Sequence, residues 1–417
     1  MLKHNLIILI SLMYIPLILM SGCIDGRKSN QNSNMKTIDS TNLYSWNKKF
    51  LQKYTGIIEL SSGKSAILLA PSWQGRVMTS TSEGENGFSF GWINHNLISS
   101  GKLLPHINAF GGEERLWLGP EGGQFSIFFQ GGKEFTYENW QTPPLIDTWP
   151  FEITERTKES VLFGKSASLT NYSGYTFEIK IDRRVTLIPA REIDELSGAD
   201  FKGLNIVAYK SENTLTNTGK EEWKKETGLL SIWMLGMLNP SPAVVIVIPV
   251  KEGSDNELGP KVNDNYFGSI PADRLKLIDN HIFFKADGKS RGKIGIPPLR
   301  VTGVMGSFDS ENNILTLLFC TLPEGVTDYV NSAWELQEKP YSGDAFNAYN
   351  DGPLADGSQM GPFYELETSS PAAMLKPGQS LTHTQITVHI TGNRDKMDRI
   401  AVKTLGVPLE TIEKIFE

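Results

Sequence analysis

The stretch FYELETSSPAAMLKPGQSLTHTQITVHIT, residues 363–391, decides the fold class. Residues 363–368 and 380–391 alternate apolar and polar side chains with period two, the spacing of a half-buried strand. Between them, Leu375-Lys-Pro-Gly-Gln379 places proline and glycine where a chain reverses. The unit is strand, turn, strand. The same signature recurs upstream, over 57–60, 66–70, 76–79, 88–93, 151–156, 160–163, 175–181 and 184–188. It continues over 205–217 (NIVAYKSENTLTN), 229–235, 243–250, 282–284, 301–308 and 314–320. Residues 124–130 alternate and end at Gly131-Gly132, a hairpin signal. Helical spacing is confined to residues 47–54 and to the tail. There Met397, Ile400 and Ala401 share a face, and Pro408 opens a last helix carrying Leu409, Ile412 and Ile415. Roughly twenty short strands without a fixed repeat predict an all-β chain, a large antiparallel β-sandwich. One domain over 45–392 is expected, followed by a short C-terminal helical tail over 393–417.

The chain has 417 residues and a net charge of -7, with no Lys/Arg cluster, which argues against nucleic acid as a partner. Its two cysteines, Cys23 and Cys320, build no disulfide framework and no cysteine metal site. Cys320 ends an apolar run and reads as a buried thiol. At the N-terminus, Lys3 precedes an almost wholly apolar run over 6–20. The string Met20-Ser-Gly-Cys23 then resembles the bacterial lipobox. That resemblance implies a signal peptide over 1–22, lipidation of Cys23, and an exported protein anchored to a membrane of the bacterial cell envelope. Residues 23–44 are Ser/Asn/Lys-rich and read as a flexible tether.

Residues 331–367 interleave acids, amides and rings more densely than any other part of the chain. Asn331, Trp334, Glu335, Gln337, Tyr341, Asp344, Asn347, Asn350, Asp351, Glu365 and Glu367 all fall within it. The window is too polar for a core and too aromatic for a solvated loop, and reads as one wall of a polar-ligand site. Asp344, Asn350 and Asp351 stand among glycines, where some Asx side chains only close turns. Glu365 and Glu367, two apart on a strand, share a face opposite Tyr364 and Leu366. Their repulsion raises at least one pKa unless cations compensate, as a general acid or base requires. The alternative is a solvated strand face.

A second concentration spans 106–123, HINAFGGEERLWLGPEGG. Glu113, Arg115 and Trp117 alternate onto one expected face. Arg115 is placed to pair with Glu367 or to clamp a pair of hydroxyls, and Trp117 to stack on a sugar ring. His106 and Asn108 share a face, and His106 is the candidate acid. The rival reading is a buried Arg–Glu pair capped by a core tryptophan. His383 and His389 project from one side of a strand but lie ~20 Å apart, too far to share a metal ion. No cofactor is expected, and any oxygen-rich metal site would favour Ca²⁺. Asp287-Gly-Lys-Ser-Arg-Gly-Lys293 reads as a solvated basic hairpin or as a rim touching an anionic sugar.

Three segments resemble the galactose-mutarotase-like (aldose epimerase-like) superfamily. Ala70-Pro-Ser-Trp-Gln-Gly-Arg-Val-Met-Thr-Ser80 is similar to its opening strand pair. Ser211-Glu-Asn-Thr-Leu-Thr-Asn217, with Trp223 and residues 229–235, is similar to a mid-chain strand. Residues 363–371 with Leu375-Lys-Pro-Gly378 are similar to its penultimate strand and L-x-P-G turn. GGEERLWLGPEGG and YVNSAWELQ are similar to strings in an uncharacterised branch of bacterial lipoproteins with that fold. The resemblance implies a large sandwich and a carboxylate base on the penultimate strand, which falls on Glu367. It implies a substrate-binding arginine, matched by Arg76, and a mid-chain histidine where this chain has Trp233.

The residues and the resemblance together predict a carbohydrate-active envelope lipoprotein. Glu367 is the expected base and Glu365 or His106 the expected acid; an acid from 106–121 facing Glu367 across a cleft would favour an enzyme over a binder. Arg76, Asn108, Glu113, Arg115, Trp117, Trp233, Asn331, Trp334, Glu335, Tyr341, Asn350 and Asp351 are the expected ligand contacts. The alternative is a carbohydrate-binding lipoprotein without catalysis.

Overall fold

The alternating segments pair into three sheets, antiparallel throughout, in the computed structural model, which describes residues 40–417. The expected signal peptide, Cys23 and the tether up to residue 39 lie outside the described residues. The largest sheet has ten strands. In spatial order they are Leu275–Ile278, His281–Lys285, Val244–Pro249, Val304–Asp309, Ile314–Cys320, Ser380–Thr391, Asn205–Asn217, Thr176–Leu187, Ser160–Thr170 and Glu152–Arg156. A five-stranded sheet runs Gly292–Ile296, Phe346–Asn350, Tyr364–Ser369, Ser231–Leu238, Arg115–Gly119. The third sheet is the meander Ile58–Ser62, Ser65–Ala70, Arg76–Thr81.

The stretch 363–391 is the crossover between the two larger sheets. Tyr364–Ser369 is the middle strand of the five. Ser380–Thr391 joins the ten, paired along its whole length with Asn205–Asn217. Between the sheets, Leu238, Ile246, Ile248, Phe346 and Leu366 share one apolar cluster. Polar groups in this layer are matched, as burial demands. Ser307 Oγ and Tyr364 Oη lie 2.9 Å apart, and Thr368 Oγ1 donates to Gln385 Oε1 at 2.7 Å. Glu114 accepts from Arg183 Nη2 and from Gln385 Nε2, each at 2.8 Å.

The outer face of the ten-stranded sheet would be apolar and wet without the C-terminal helices. Arg394–Leu405, capped by the Asn393 side chain on the Lys396 N–H, and Leu409–Lys414 cover it. Met397, Ile400, Leu405 and Ile412 pack there against Val247, Phe308, Leu317 and Val388. Helix Tyr44–Tyr54 covers the meander through Tyr44 and Leu51.

Several expectations change. Residues 175–181 and 184–188 are one strand, Thr176–Leu187. Residues 124–130 form no strand: the Ser126 hydroxyl accepts from the Phe128 N–H at 3.0 Å, and Ile127, Phe128 and Phe129 are all buried, so alternation is lost. Residues 88–93 pair only through isolated bridges such as Gly91 to Leu238. Three strands of the five-stranded sheet, Arg115–Gly119, Gly292–Ile296 and Phe346–Asn350, were not expected as strands. The expected tether also ends early, since Ser40–Asn42 is a short 3-10 helix, Leu43 bridges Phe88 and an α-helix begins at Tyr44.

Candidate functional site

Register alone assembles a polar patch on the five-stranded sheet. Arg115 lies opposite Leu235, Leu235 opposite Glu367, and Glu367 opposite Asn347. Two residues along one way, Trp117 pairs with Trp233; two along the other, Glu365 pairs with Met237 and Tyr349, which in turn faces Lys293. With a period of two, all of these side chains occupy the face turned away from the ten-stranded sheet.

Glu367 is the centre of this face. The Trp233 indole N–H donates to its Oε2 at 2.9 Å, and the Lys293 ammonium donates to the same oxygen at 3.0 Å. Oε1 is buried without a hydrogen-bond partner, on a residue that is 0 % exposed. Lys293 lies over the Trp233 ring at 4.6 Å, where a cation gains from the negative face of the π-system.

Beside it, Arg115 Nη2 donates to Glu365 Oε1 at 2.6 Å, and the guanidinium lies 4.5 Å from the Trp117 ring centroid. The predicted pairing of Arg115 with Glu367 is therefore replaced by one with Glu365. Burial raises the Glu365 pKa to about 7 against the pull of Arg115, and the charge of Glu367 pushes the same way. Arg115 Nε and Trp117 Nε1 are also buried without partners. Three orphaned polar atoms on one face mark where a polar ligand or ordered water completes the bonding.

Glu121 follows Gly119 and a cis-linked Pro120, continuing the line of Arg115 and Trp117. Burial raises its pKa to about 6; Lys293 pulls it down and Glu367 pushes it up, which puts both within its electrostatic reach. Trp334 and Trp140 stand beside it, stacked on each other at 5.8 Å. Gly122 and Gly123 let the loop 331–337 close on this point, for a Cβ on Gly122 would meet Ala333 O at 2.2 Å. The opposite rim is Tyr266, whose hydroxyl donates to Asp344 Oδ2 at 2.6 Å and whose ring lies 5.7 Å from the Lys293 ammonium. Burial raises the Asp344 pKa to about 6.

Arg76 and Asn108 extend the site beyond Arg115. Asn108 Nδ2 donates to Asp147 Oδ2 at 2.7 Å, and Asp147 interacts electrostatically with both Arg76 and Arg115. Arg76 is buried; its Nη1 donates to Gly111 O at 2.9 Å and its Nε has no partner. Burial first, then Arg115, lowers its pKa to about 9.

Other expected contacts stand elsewhere. Glu113 does not share the face of Arg115: its Oε2 meets His389 Nε2 at 3.1 Å, between the sheets. Gly111 and Gly112, both at positive φ (93° and 110°), precede it, and it stands at a bend before the pairing of Glu114. His106 points its Nδ1 at Trp140 O, 2.6 Å away, and packs on Tyr137. The side chains of Asn331 and Asn350 hold turns, accepting from the Ala333 and Gly288 N–H groups respectively. Asp351 accepts from Tyr349 Oη at 2.5 Å and from the Gly361 N–H, bracing the loop 351–361. Tyr341 donates to Lys225 O, and Glu335 is exposed.

Sequence reasoning passed over Lys293, Glu121, Trp140 and Tyr266. Lys293 was visible only as the end of a basic turn, and Glu121 as one acid in a glycine-rich string. Among the described residues, no group of three or more His, Cys, Asp or Glu side chains is arranged to hold a metal ion.

Residues 42–416 match a family described as a family of unknown function (DUF6786). The chain belongs to that family. No curated protein matches this DUF6786 member. Among solved structures it is similar to the Slr1438 protein of Synechocystis sp. PCC 6803, at 11% identity and TM-score 0.48, covering 81% of this chain and 96% of that one. A putative aldose 1-epimerase of Escherichia coli K12 gives 11% identity and TM-score 0.46, with 81% and 99% covered. A galactose mutarotase-like protein of Lactobacillus casei gives 9% identity and TM-score 0.44, with 80% and 100% covered. At such identities the likeness carries nothing about activity.

Proposed function

We propose that the DUF6786 chain binds a carbohydrate on the outer face of its five-stranded sheet and processes it by acid–base chemistry, with Glu367 as the base. The observation that supports this most is the state of that carboxylate. One oxygen is fixed by Trp233 and Lys293, and the other is buried without a partner. With one oxygen engaged by a cation and an N–H donor, the unengaged oxygen is the one able to take a ligand proton. The half-buried Trp334 indole supplies stacking surface, while Arg115, Asn347 and Glu365 supply donors and acceptors for hydroxyls.

A second reading, binding without turnover, is favoured by the histidines. His95, His106, His281, His383 and His389 all interact elsewhere, with Asn47, Trp140, Leu405, Thr368 and Glu113 respectively. One experiment separates the two. A glycan array, followed by Glu367→Gln assayed for binding and for conversion of the sugars captured, is expected to show binding retained and conversion lost. Retained conversion overturns the base assignment, and wild-type protein that captures no sugar overturns both readings.

We further propose that the chain is an exported lipoprotein of the bacterial cell envelope, anchored through Cys23. The string Met20-Ser-Gly-Cys23 behind an apolar run supports this. Cys23→Ser is expected to release the protein from membranes, and metabolic palmitate labelling of wild type but not of the variant checks it.

A further inference from the structure

The face that carries Glu367 is shut. None of Arg115, Trp117, Trp233, Glu365 and Glu367 is more than 5 % exposed, so a ligand reaches them only if a covering segment moves. On the Trp334 side the cover is tied to its neighbours. Gln124 Nε2 donates to Gln337 O and the Gln337 N–H donates to Gln124 Oε1, each at 2.9 Å, while Trp334 packs on Trp140 and Phe129.

The Tyr266 side differs. Asn263 is fixed to the edge strand Gly292–Ile296, exchanging both main-chain hydrogen bonds with Gly295 at 2.8 and 2.7 Å. From Asp264 to Ile270, no main-chain group bonds to another main-chain group among the described residues. The Asn265 and Ile270 N–H groups donate to Asn263 Oδ1 and Asp264 Oδ2, within the segment itself. Val262 and Ile270 are apolar feet, packed against the cluster of Phe346 and Leu366. The arch between them is exposed at Asn265, Phe267, Gly268 and Ser269. Side chains hold it down. Tyr266 Oη donates to Asp344 Oδ2 at 2.6 Å and accepts from Asn347 Nδ2 at 3.3 Å, and the Arg291 guanidinium lies 4.0 Å from the Phe267 ring. Asn347 is the register partner of Glu367, and Lys293, 3.0 Å from Glu367, lies 5.7 Å from the Tyr266 ring. Tyr266 thus closes the face beside Glu367.

We propose that residues 264–269 are a lid on the Glu367 face, latched by the Tyr266 hydroxyl, and that the ligand enters beneath it. Opening frees an acceptor on Asp344 and a donor on Asn347, and a polyhydroxylated ligand brings the hydroxyl that satisfies both. That the ligand is a carbohydrate rests on the reading above; the lid does not. Gly268, at φ 94°, gives a way to strain the closed arch alone, because a Cβ there meets nothing within 4 Å.

The test reads hydrogen exchange in the full-length chain. The Trp233 indole N–H, bonded to Glu367 Oε2, reports water reaching the face, and its NMR signal is assigned from the Trp233→Phe spectrum. In wild type, corrected for intrinsic rates, it is expected to exchange about 10²-fold or more faster than the amides of Val244–Pro249, which open with the whole fold. Tyr266→Phe and Gly268→Ala weaken the closed lid, and each is expected to speed the indole about tenfold. Gly357→Ala is the control, strained at φ 81° in the loop 351–361 with nothing within 4 Å of its Cβ. It destabilises closed and open lid alike, so it is expected to speed the core amides and not the indole. Equal exchange of indole and core amides in wild type overturns the proposal. So does an indole that neither lid variant accelerates, or that Gly357→Ala accelerates as much.

The second arm is association with a sugar captured on the glycan array. Tyr266→Phe is expected to raise the association rate about tenfold, since more of the protein stands open. An unchanged rate means entry elsewhere and overturns the proposal. Wild type that captures no sugar counts against the carbohydrate reading alone, and the exchange measurements then decide the lid.

Discussion

Arg115 and Glu365 stand 250 residues apart in sequence and meet at 2.6 Å, both nearly sealed from solvent. This contact ties residues 106–123 to residues 331–367 across a face that strand register assembles. Arg115→Met leaves Glu365 buried without a cation, at a cost of about 3–5 kcal/mol. The double variant Arg115→Met/Glu365→Leu is expected to recover most of that, because it removes both charges together. Urea unfolding of the four species measures it. Additive single effects would show that the pair is not coupled.

Lys293 is a different case, since it serves Glu367 from an edge strand. Lys293→Met removes the cation paired with the Glu367 carboxylate and is expected to destabilise by about 3 kcal/mol. It is also expected to abolish capture of whichever sugar the array identifies, whereas Lys293→Arg keeps the charge and most of the stability. Thermal unfolding and calorimetric titration read the two effects. Wild-type stability in Lys293→Met would mean that the carboxylate is not held as its geometry indicates.

Stability should respond to pH in two opposed ways. His383 is buried beside Thr368, and burial lowers its pKa from 6.5 to about 4. The unfolded chain therefore binds the extra proton between these values, and stability falls as pH drops from 6.5 to 4, by about 3 kcal/mol in full. Glu365 works the other way. Its pKa is raised from 4.5 to about 7, so the folded chain holds the extra proton and stability falls as pH rises from 4.5 to 7. Melting temperatures of wild type, His383→Gln and Glu365→Gln across pH 4 to 8 separate them: the first variant loses the acid-side fall, the second the alkaline-side one. Parallel curves for all three proteins would contradict both assignments.

What was legible in the sequence follows from locality. Period-two alternation placed Glu365 and Glu367 on one face and Tyr364 and Leu366 on the other, because a strand's faces need no knowledge of its neighbours. Glu113 was lost because it stands at a bend, and regular pairing resumes only at Glu114. Phe346–Asn350 was hidden as a strand by the polar residues that make it a site wall. Lys293 and Glu121 owe their roles to cross-strand register and loop closure, which link residues 74 apart in the first case. No spacing along the chain encodes that.

Gly122 offers the sharpest check on the wall carrying Trp334. A Cβ there would lie 2.2 Å from Ala333 O, a backbone atom that cannot swing away as a side chain would. The loop it would displace is braced by the Gln337 amide, which donates to Asn331 O at 3.1 Å and to Ala333 O at 2.8 Å. Gly122→Ala must therefore push residues 331–337 outward as a unit, taking Trp334 off Trp140 and admitting water to Glu121. The expected cost is about 1–3 kcal/mol of overpacking, with the Glu121 pKa moving down as burial is relieved. Gly56→Ala is the control, since a Cβ there meets nothing within 4 Å. Melting temperature and a carboxyl NMR titration with ¹³C-labelled glutamate report both consequences, and a Gly122→Ala protein indistinguishable from Gly56→Ala would mean that this loop does not close over Glu121.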